Sequence, residues 1–428
     1  MAVHNRQPMI RRLERAVASP WLFASAALLI LAAGIGFACA LKPEPHSDWL
    51  SYWQAAGDAR AYTRGGLGLW LLAIPKAFGL PAFAAALVLN LPSAAGMLWM
   101  ARRFDPNRGK WFAWLVALYL LLITPYFGIV QLDLFAATLI GAGFCLALSA
   151  SGHGIRAWPL PLAVACVAIG VSTRTQYALV LVSMLAALAI LVILLRPRHR
   201  SRIVALIAML LAGSVAGFAL DSGLRALGGN SEAVRTGTAV TLYTGLLSSG
   251  DGPGCGYWSA EASLAARADL DKPLHQAALD RLAEKPAGHW LSVVSCKLPQ
   301  IVRPSPYALY WLVESPDVRR RLDAHPQSDR LDARYASAVR FEKKAYGALI
   351  GLIYAGILVV AINLCRRRAP LPGLLAVTWI LGFCVVHAVF EIQGRYFLGM
   401  MLLAPLLCAL ALRVARDEGP AGGATTSG

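Results

Sequence analysis

The chain reads as an all-α polytopic membrane protein, and two observations carry that reading. Of its 428 residues, 57% are hydrophobic and only 15% are charged, with a mean hydropathy of +0.57. Soluble domains carry about 25% charged residues. The basic residues also fall in short tufts between long apolar runs: Arg11, Arg12 and Arg15; Arg102, Arg103, Arg108 and Lys110; Arg196, Arg198, Arg200 and Arg202; Arg366 to Arg368; Arg413 and Arg416. That is the positive-inside pattern of cytoplasmic loops. The net charge of +17 therefore reports topology and not a nucleic-acid partner.

A bilayer crossing needs roughly 20 apolar residues. Stretches near that length cover 20–41, 81–101, 111–130, 133–150, 157–172, 176–195, 203–220, 345–365, 371–389 and 396–413, which gives about ten spans. The first run is too long for a cleaved signal and has no small-residue cleavage site after it. The stretch 66–80 is shorter and holds Pro75 and Lys76. Counting it as a span would put Arg102, Arg103 and Lys110 outside, so it is read as a helix on the outer surface.

With that choice both termini are cytoplasmic. The outer side carries a first loop (42–80), turns near 131–133, 172–176 and 390–396, and a polar segment over 221–342. The chain then divides into an N-terminal transmembrane module (1–220), the 221–342 periplasmic segment, C-terminal transmembrane helices (343–416) and a disordered tail (417–428). Ala, Gly and Arg richness points to a bacterial source, hence an inner-membrane protein with its active face periplasmic. Six cysteines lie in or beside apolar runs as small hydrophobes. Cys255 and Cys296 lie in the outer segment, where a periplasmic setting lets them pair.

Five ionisable residues land on that outer face: Asp48, in His46-Ser47-Asp48-Trp49; Asp133, in Gln131-Leu132-Asp133; Arg174, in Ser172-Thr173-Arg174-Thr175-Gln176-Tyr177; and Glu391 with Arg395, in Glu391-Ile392-Gln393-Gly394-Arg395-Tyr396. Charges at the ends of apolar helices are either snorkelling anchors or members of a polar cavity. Acids and bases converging from separate helices favour a cleft for an anionic, hydroxyl-bearing substrate. Trp49, Tyr52 and Trp53 read as interfacial belt residues. His46 and His387 read as incidental, and the run from Glu314 to Arg321 as a solvated charge cluster.

An acid just past the first span, a second acid at the next external turn and a late Glu-x-Gln-x-Arg-Tyr before the last span resemble the GT-C glycosyltransferases. The nearest branch contains protein O-mannosyltransferases and lipid A aminoarabinose transferases. The resemblance covers about 20–180 and 345–413. It implies a membrane glycosyltransferase that moves a sugar from a polyprenyl-phosphate donor to a periplasmic glycan, lipid or protein acceptor, with membrane lipids as further partners. Asp48 matches the general base, and Asp133 the acid that supports acceptor or sugar. Arg64, in Tyr62-Thr63-Arg64-Gly65, falls where relatives more often place Lys-Pro against the donor phosphate. Arg174 falls where many carry a lysine, Arg395 matches the Arg of the late Arg-Tyr pair, and the resemblance implies that both bind the donor phosphate with Arg64. Glu391, Tyr52 and Tyr396 are the residues expected to orient sugar or acceptor. No metal-ligand cluster is visible, although the two acids could hold a divalent metal ion.

Such chemistry needs a base for the acceptor hydroxyl and cations for the departing phosphate. Arginine suits the second role because its planar fork binds phosphate oxygens in pairs. Three other classes compete, one of them a non-catalytic scaffold, for which paired acids and bases on one face would be coincidence. A surface-polysaccharide polymerase or ligase would lean on arginines of the 221–342 segment. A secondary transporter or flippase would carry its charges at mid-span and show related halves.

Overall fold

The computed structural model describes residues 16–57, 66–107, 109–150, 159–195, 200–228, 231–247, 255–366 and 370–417. Arg64 lies outside them. Among the described residues every regular element is helical. By length and composition, six helices among the described residues are long and apolar enough to cross a membrane.

Helix α1 (Pro20–Leu41) starts with proline at its first turn and Ser19 accepting the Leu22 amide at 3.4 Å, and it stops where Lys42 turns left-handed before Pro43. It is apolar on every side, and Leu28 and Leu29 face outward, as lipid-facing residues do. The first outer loop folds as α2 (Ser47–Ala55) and α3 (Gly66–Ala77). Next come α4 (Ala82–Phe104) and α5 (Trp111–Leu122). The apolar run expected to continue to 130 breaks at Thr124-Pro125, because proline has no amide to donate, and a 3₁₀ turn spans Thr124–Gly128. Then follow α6 (Asp133–Ala150), α7 (Pro159–Thr173), α8 (Gln176–Leu195) and α9 (Arg200–Gly228). Helix α9 continues without a break through position 221.

The polar segment folds as α10 (Ser231–Leu247), α11 (Ala260–Ala268), α12 (Leu274–Ala283), α13 (His289–Val302), α14 (Ala308–Val313) and α15 (Pro316–Asp323). Helices α10 to α12 close a small core of their own around Tyr243, Ala262, Ala266 and Ala277. The Tyr243 hydroxyl donates to Asp269 at 2.8 Å, and Arg281 holds both oxygens of that carboxylate at 2.9 and 3.1 Å. The chain ends with α16 (Ser328–Arg366), α17 (Pro370–Val389), a 3₁₀ turn at Gly394–Phe397 and α18 (Leu398–Asp417).

Helix α18 is the hub. It packs against α4, α5, α6, α16 and α17 and buries Leu402, Leu403, Leu406, Leu407 and Leu410. In lipid that burial stabilises through close packing more than through exclusion of water. The body has two distinct ends. At one, Arg413 donates to the Arg103 carbonyl at 3.3 Å, and Asp105 accepts the first amides of α5, from Phe112 at 2.9 Å and Ala113 at 3.2 Å. The acids and arginines singled out above gather at the other.

Cys255 and Cys296 form the disulfide expected for them, with Cα atoms 6.4 Å apart. Thiol labelling of the denatured chain under non-reducing conditions is expected to modify the other six cysteines and leave this pair untouched. Labelling of both before reduction would contradict the bond.

Candidate active site

The site is organised by one turn of α2. Asp48 and Tyr52 stand four residues apart, so they share a helix face. Asp48 forms an ion pair with Arg395, and the Tyr52 hydroxyl accepts from Arg174. Arg174 follows the last turn of α7 and pairs with Asp133 at 2.7 Å. Asp133, in the first turn of α6, also accepts from the Tyr126 hydroxyl at 3.3 Å. Four separate stretches of chain thus meet in one chain of contacts: Asp133, Arg174, Tyr52, Asp48 and Arg395. Glu391 and Tyr396 adjoin it, the tyrosine hydroxyl donating to the carboxylate at 3.4 Å.

Burial separates the roles. Arg395, Arg174 and Asp133 are sealed, whereas the Asp48 side chain keeps 34% of its exposure. The Arg395 guanidinium lies 4.8 Å from the Trp311 ring and 5.2 Å from that of Tyr396. Aromatic faces stabilise a desolvated cation and hold its plane.

Arg174 also lines a cavity of about 690 Å³ between α8, α9, α10 and α17. Its polar end carries Arg174, Asp221, Arg225, Glu391 and Tyr396, and its walls are Leu179, Val182, Val215, Phe218, Val386 and Phe390. Val182, Val215 and Phe218 are exposed, and the cavity is not sealed. Asp221 accepts the Gly66 amide at 2.6 Å and the Arg225 Nε at 2.7 Å, tying the cavity to the start of α3. Arg225 Nη1 is buried without a hydrogen-bond partner.

Several expectations change. Trp49 and Tyr52 are fully buried and are not belt residues, because α2 packs inward against the arginines. Asp317 is no solvated charge: it accepts from Ser315 and takes the Glu44 amide at 3.1 Å, which fastens α15 to the first loop. His387 is buried, hydrogen-bonded to the Glu391 carbonyl at 2.8 Å, and lines the cavity. Arg225 escaped notice because the apolar run ends at 220, yet an acid and a base four apart at the end of a span was the available signal. Among the described residues no group of three or more His, Cys, Asp or Glu is placed to hold a metal ion.

No family model matches the chain, and no curated protein does. The chain is similar to two crystal structures of ArnT from Cupriavidus metallidurans. One, bound to undecaprenyl phosphate, is 16% identical with a TM-score of 0.37, over 92% of this chain and 77% of that one. The other, in the apo state, is 16% identical with a TM-score of 0.35, over 92% and 76%.

The first loop is braced by His46, whose Nδ1 accepts from the Trp49 indole at 2.7 Å and whose ring lies 5.6 Å from Trp311. Burial lowers the His46 pKa from its ordinary 6.5, while a backbone hydrogen bond at Glu44 and the charge of Asp317 oppose the shift. Because the folded value is depressed, its contribution to stability is present above 6.5 and fades as pH falls below it. Thermal unfolding in detergent is expected to show a larger loss on acidification from pH ~7.5 to ~5.5 for the native chain than for His46→Gln, whose amide does not gain a proton. Equal losses would contradict it.

Proposed function

We propose that the chain is a GT-C-type membrane glycosyltransferase that uses a polyprenyl-phosphate sugar donor at the periplasmic face of the inner membrane. The observation that carries this reading is that two arginines, Arg174 and Arg225, line one unsealed cavity together with apolar walls. Next to it stands a carboxylate that solvent can reach. A lipid phosphate with an isoprenoid tail needs that combination, and a volume of about 690 Å³ suits the head group and the first part of the tail.

The steps follow from the residues. Asp48, the one member of the contact chain with substantial exposure, takes the proton of the acceptor hydroxyl. The acceptor oxygen forms a bond to the anomeric carbon while the bond from that carbon to the phosphate oxygen breaks. Negative charge then grows on the departing phosphate, and Arg174 and Arg225 answer it with preorganised donors. Asp133 keeps Arg174 oriented, as Asp221 does Arg225. Arg395 fixes Asp48 in place, and Arg64 in the first loop is assigned to the same phosphate. Glu391 and Tyr396, which line the cavity, orient sugar or acceptor, and the buried Tyr52 acts through Arg174.

The 221–342 segment would contribute to acceptor binding. Three of its arginines are held in ion pairs with acids of the chain. Arg281 is engaged by Asp269, Arg319 by Asp323 and Asp332, and Arg321 by Asp317.

The test combines two measurements on the purified chain: native mass spectrometry of undecaprenyl phosphate retention, and transfer from undecaprenyl-phosphate sugars followed by mass spectrometry of acceptor glycolipids. Asp48→Asn is expected to retain the lipid and lose transfer by roughly 10²- to 10⁴-fold. Arg225→Gln is expected to weaken retention by about 10- to 100-fold, the worth of one or two charge-assisted hydrogen bonds. Full transfer by Asp48→Asn, or unaltered retention by Arg225→Gln, would contradict the assignment.

A further inference from the structure

Lys297 is the most deeply buried lysine described, with no exposure at all, on a helix of the polar segment. Its Nζ donates to three backbone carbonyls: Gly245 at 3.0 Å, Ala388 at 3.0 Å and Phe390 at 2.9 Å. An ammonium has three protons, and all three are used. Two of these carbonyls belong to the end of α17, where helix oxygens are left over and a cation complements the dipole. Burial pushes the Lys297 pKa down to about 7, with Glu391 acting against that shift. A charge sealed there is expensive, and three hydrogen bonds are what make it tolerable.

The neighbouring contacts all bear on the same short segment. The Glu391 amide donates to the Thr241 carbonyl at 2.9 Å, and the Ile392 amide to the Gly256 carbonyl at 2.7 Å. The disulfide joins the residue before Gly256 to the residue before Lys297. Neither close approach leaves room for a side chain. A Cβ at Gly245 would sit 2.1 Å from the Val389 carbonyl oxygen, and one at Gly256, held at φ +79°, would sit 2.9 Å from Lys297 Cδ. Positions 390, 391 and 392 are therefore held one after another by α13, α10 and the disulfide turn. The side chains that follow are Arg395, which fixes Asp48, and Tyr396, which holds Glu391.

We propose that Lys297 is a positioning residue: it pins the 388–396 segment from the polar domain so that Glu391 and Arg395 face the cavity and Asp48 in register. It touches no substrate. This rests on the reading of that segment as part of the transfer site.

Hydrogen–deuterium exchange with mass spectrometry on the full chain tests the pin without reference to chemistry. Lys297→Met, which keeps length and loses the donors, is expected to raise exchange in peptides covering 388–396 while those covering 133–149 stay unchanged. Lys297→Gln, a milder variant should the first fold poorly, is expected to show the same pattern more weakly. In transfer assays both are expected to lose turnover, about 10- to 100-fold for Lys297→Met, with undecaprenyl phosphate retention within about threefold of the native chain. Unchanged exchange at 388–396, or an equal rise in every peptide, would overturn the proposal. So would equal losses of retention and turnover. Absence of transfer by the native chain would instead sink the functional reading, leaving the exchange result to judge the pin.

Discussion

The arrangement depends on how buried charge is neutralised at one end of the helical body. Arg174 and Arg395 come from distant parts of the chain, and each is sealed from water. A lone sealed guanidinium would cost several kcal/mol or more, so each must have a partner within contact distance. Asp133 serves the first and Asp48 the second. What joins the two pairs is the single turn of α2, which offers Asp48 to one arginine and Tyr52 to the other. Removing one charge would leave its partner unpaired in a low-dielectric setting.

The same constraint explains the division of labour among the acids. Asp133 holds a buried arginine and is itself sealed from solvent. Asp48 is shared between the interior, through Arg395, and the outside, through its remaining exposure. The cavity repeats the logic on its far wall, where Asp221 braces Arg225 and reaches the amide that opens α3. The first outer loop is thus anchored on both sides, by α2 against the arginines and by α3 against α9. The polar segment adds a third anchor, since α13 and the disulfide hold the stretch that delivers Glu391 and Arg395.

Much of this was legible in the chain. The apolar runs foretold the helices because a span must satisfy its own backbone and has few sequences open to it. Asp48, Asp133, Arg174, Glu391 and Arg395 stood out because charge beside an apolar run is costly enough to need a reason. The pairing of the two cysteines followed from their sharing a polar segment. Other features were hidden because they arise only from three-dimensional contact. Nothing local distinguishes Lys297 from a solvated lysine, since the carbonyls it serves lie 52, 91 and 93 residues away. Trp49 and Tyr52 carry the composition of an interfacial belt, and only the packing of α2 buries them, Tyr52 against Arg174 and Trp49 beside His46. The helix of 111–130 was overestimated because an apolar run conceals the backbone effect of Pro125. Arg225 lies just beyond the apolar run that ends at 220, so that run does not mark it.

The central claim is that the two arginine–carboxylate pairs and the cavity beside them form one site for a lipid phosphate. The most direct measurement is an electron cryomicroscopy structure of the chain in nanodiscs supplied with undecaprenyl phosphate. The account predicts the phosphate within hydrogen-bond reach of Arg174 and Arg225, the isoprenoid along Val182, Val215 and Phe218, and Asp48 still paired with Arg395. A lipid phosphate bound at the opposite end of the body, near Arg103 and Arg413, or Asp48 standing apart from Arg395, would contradict it.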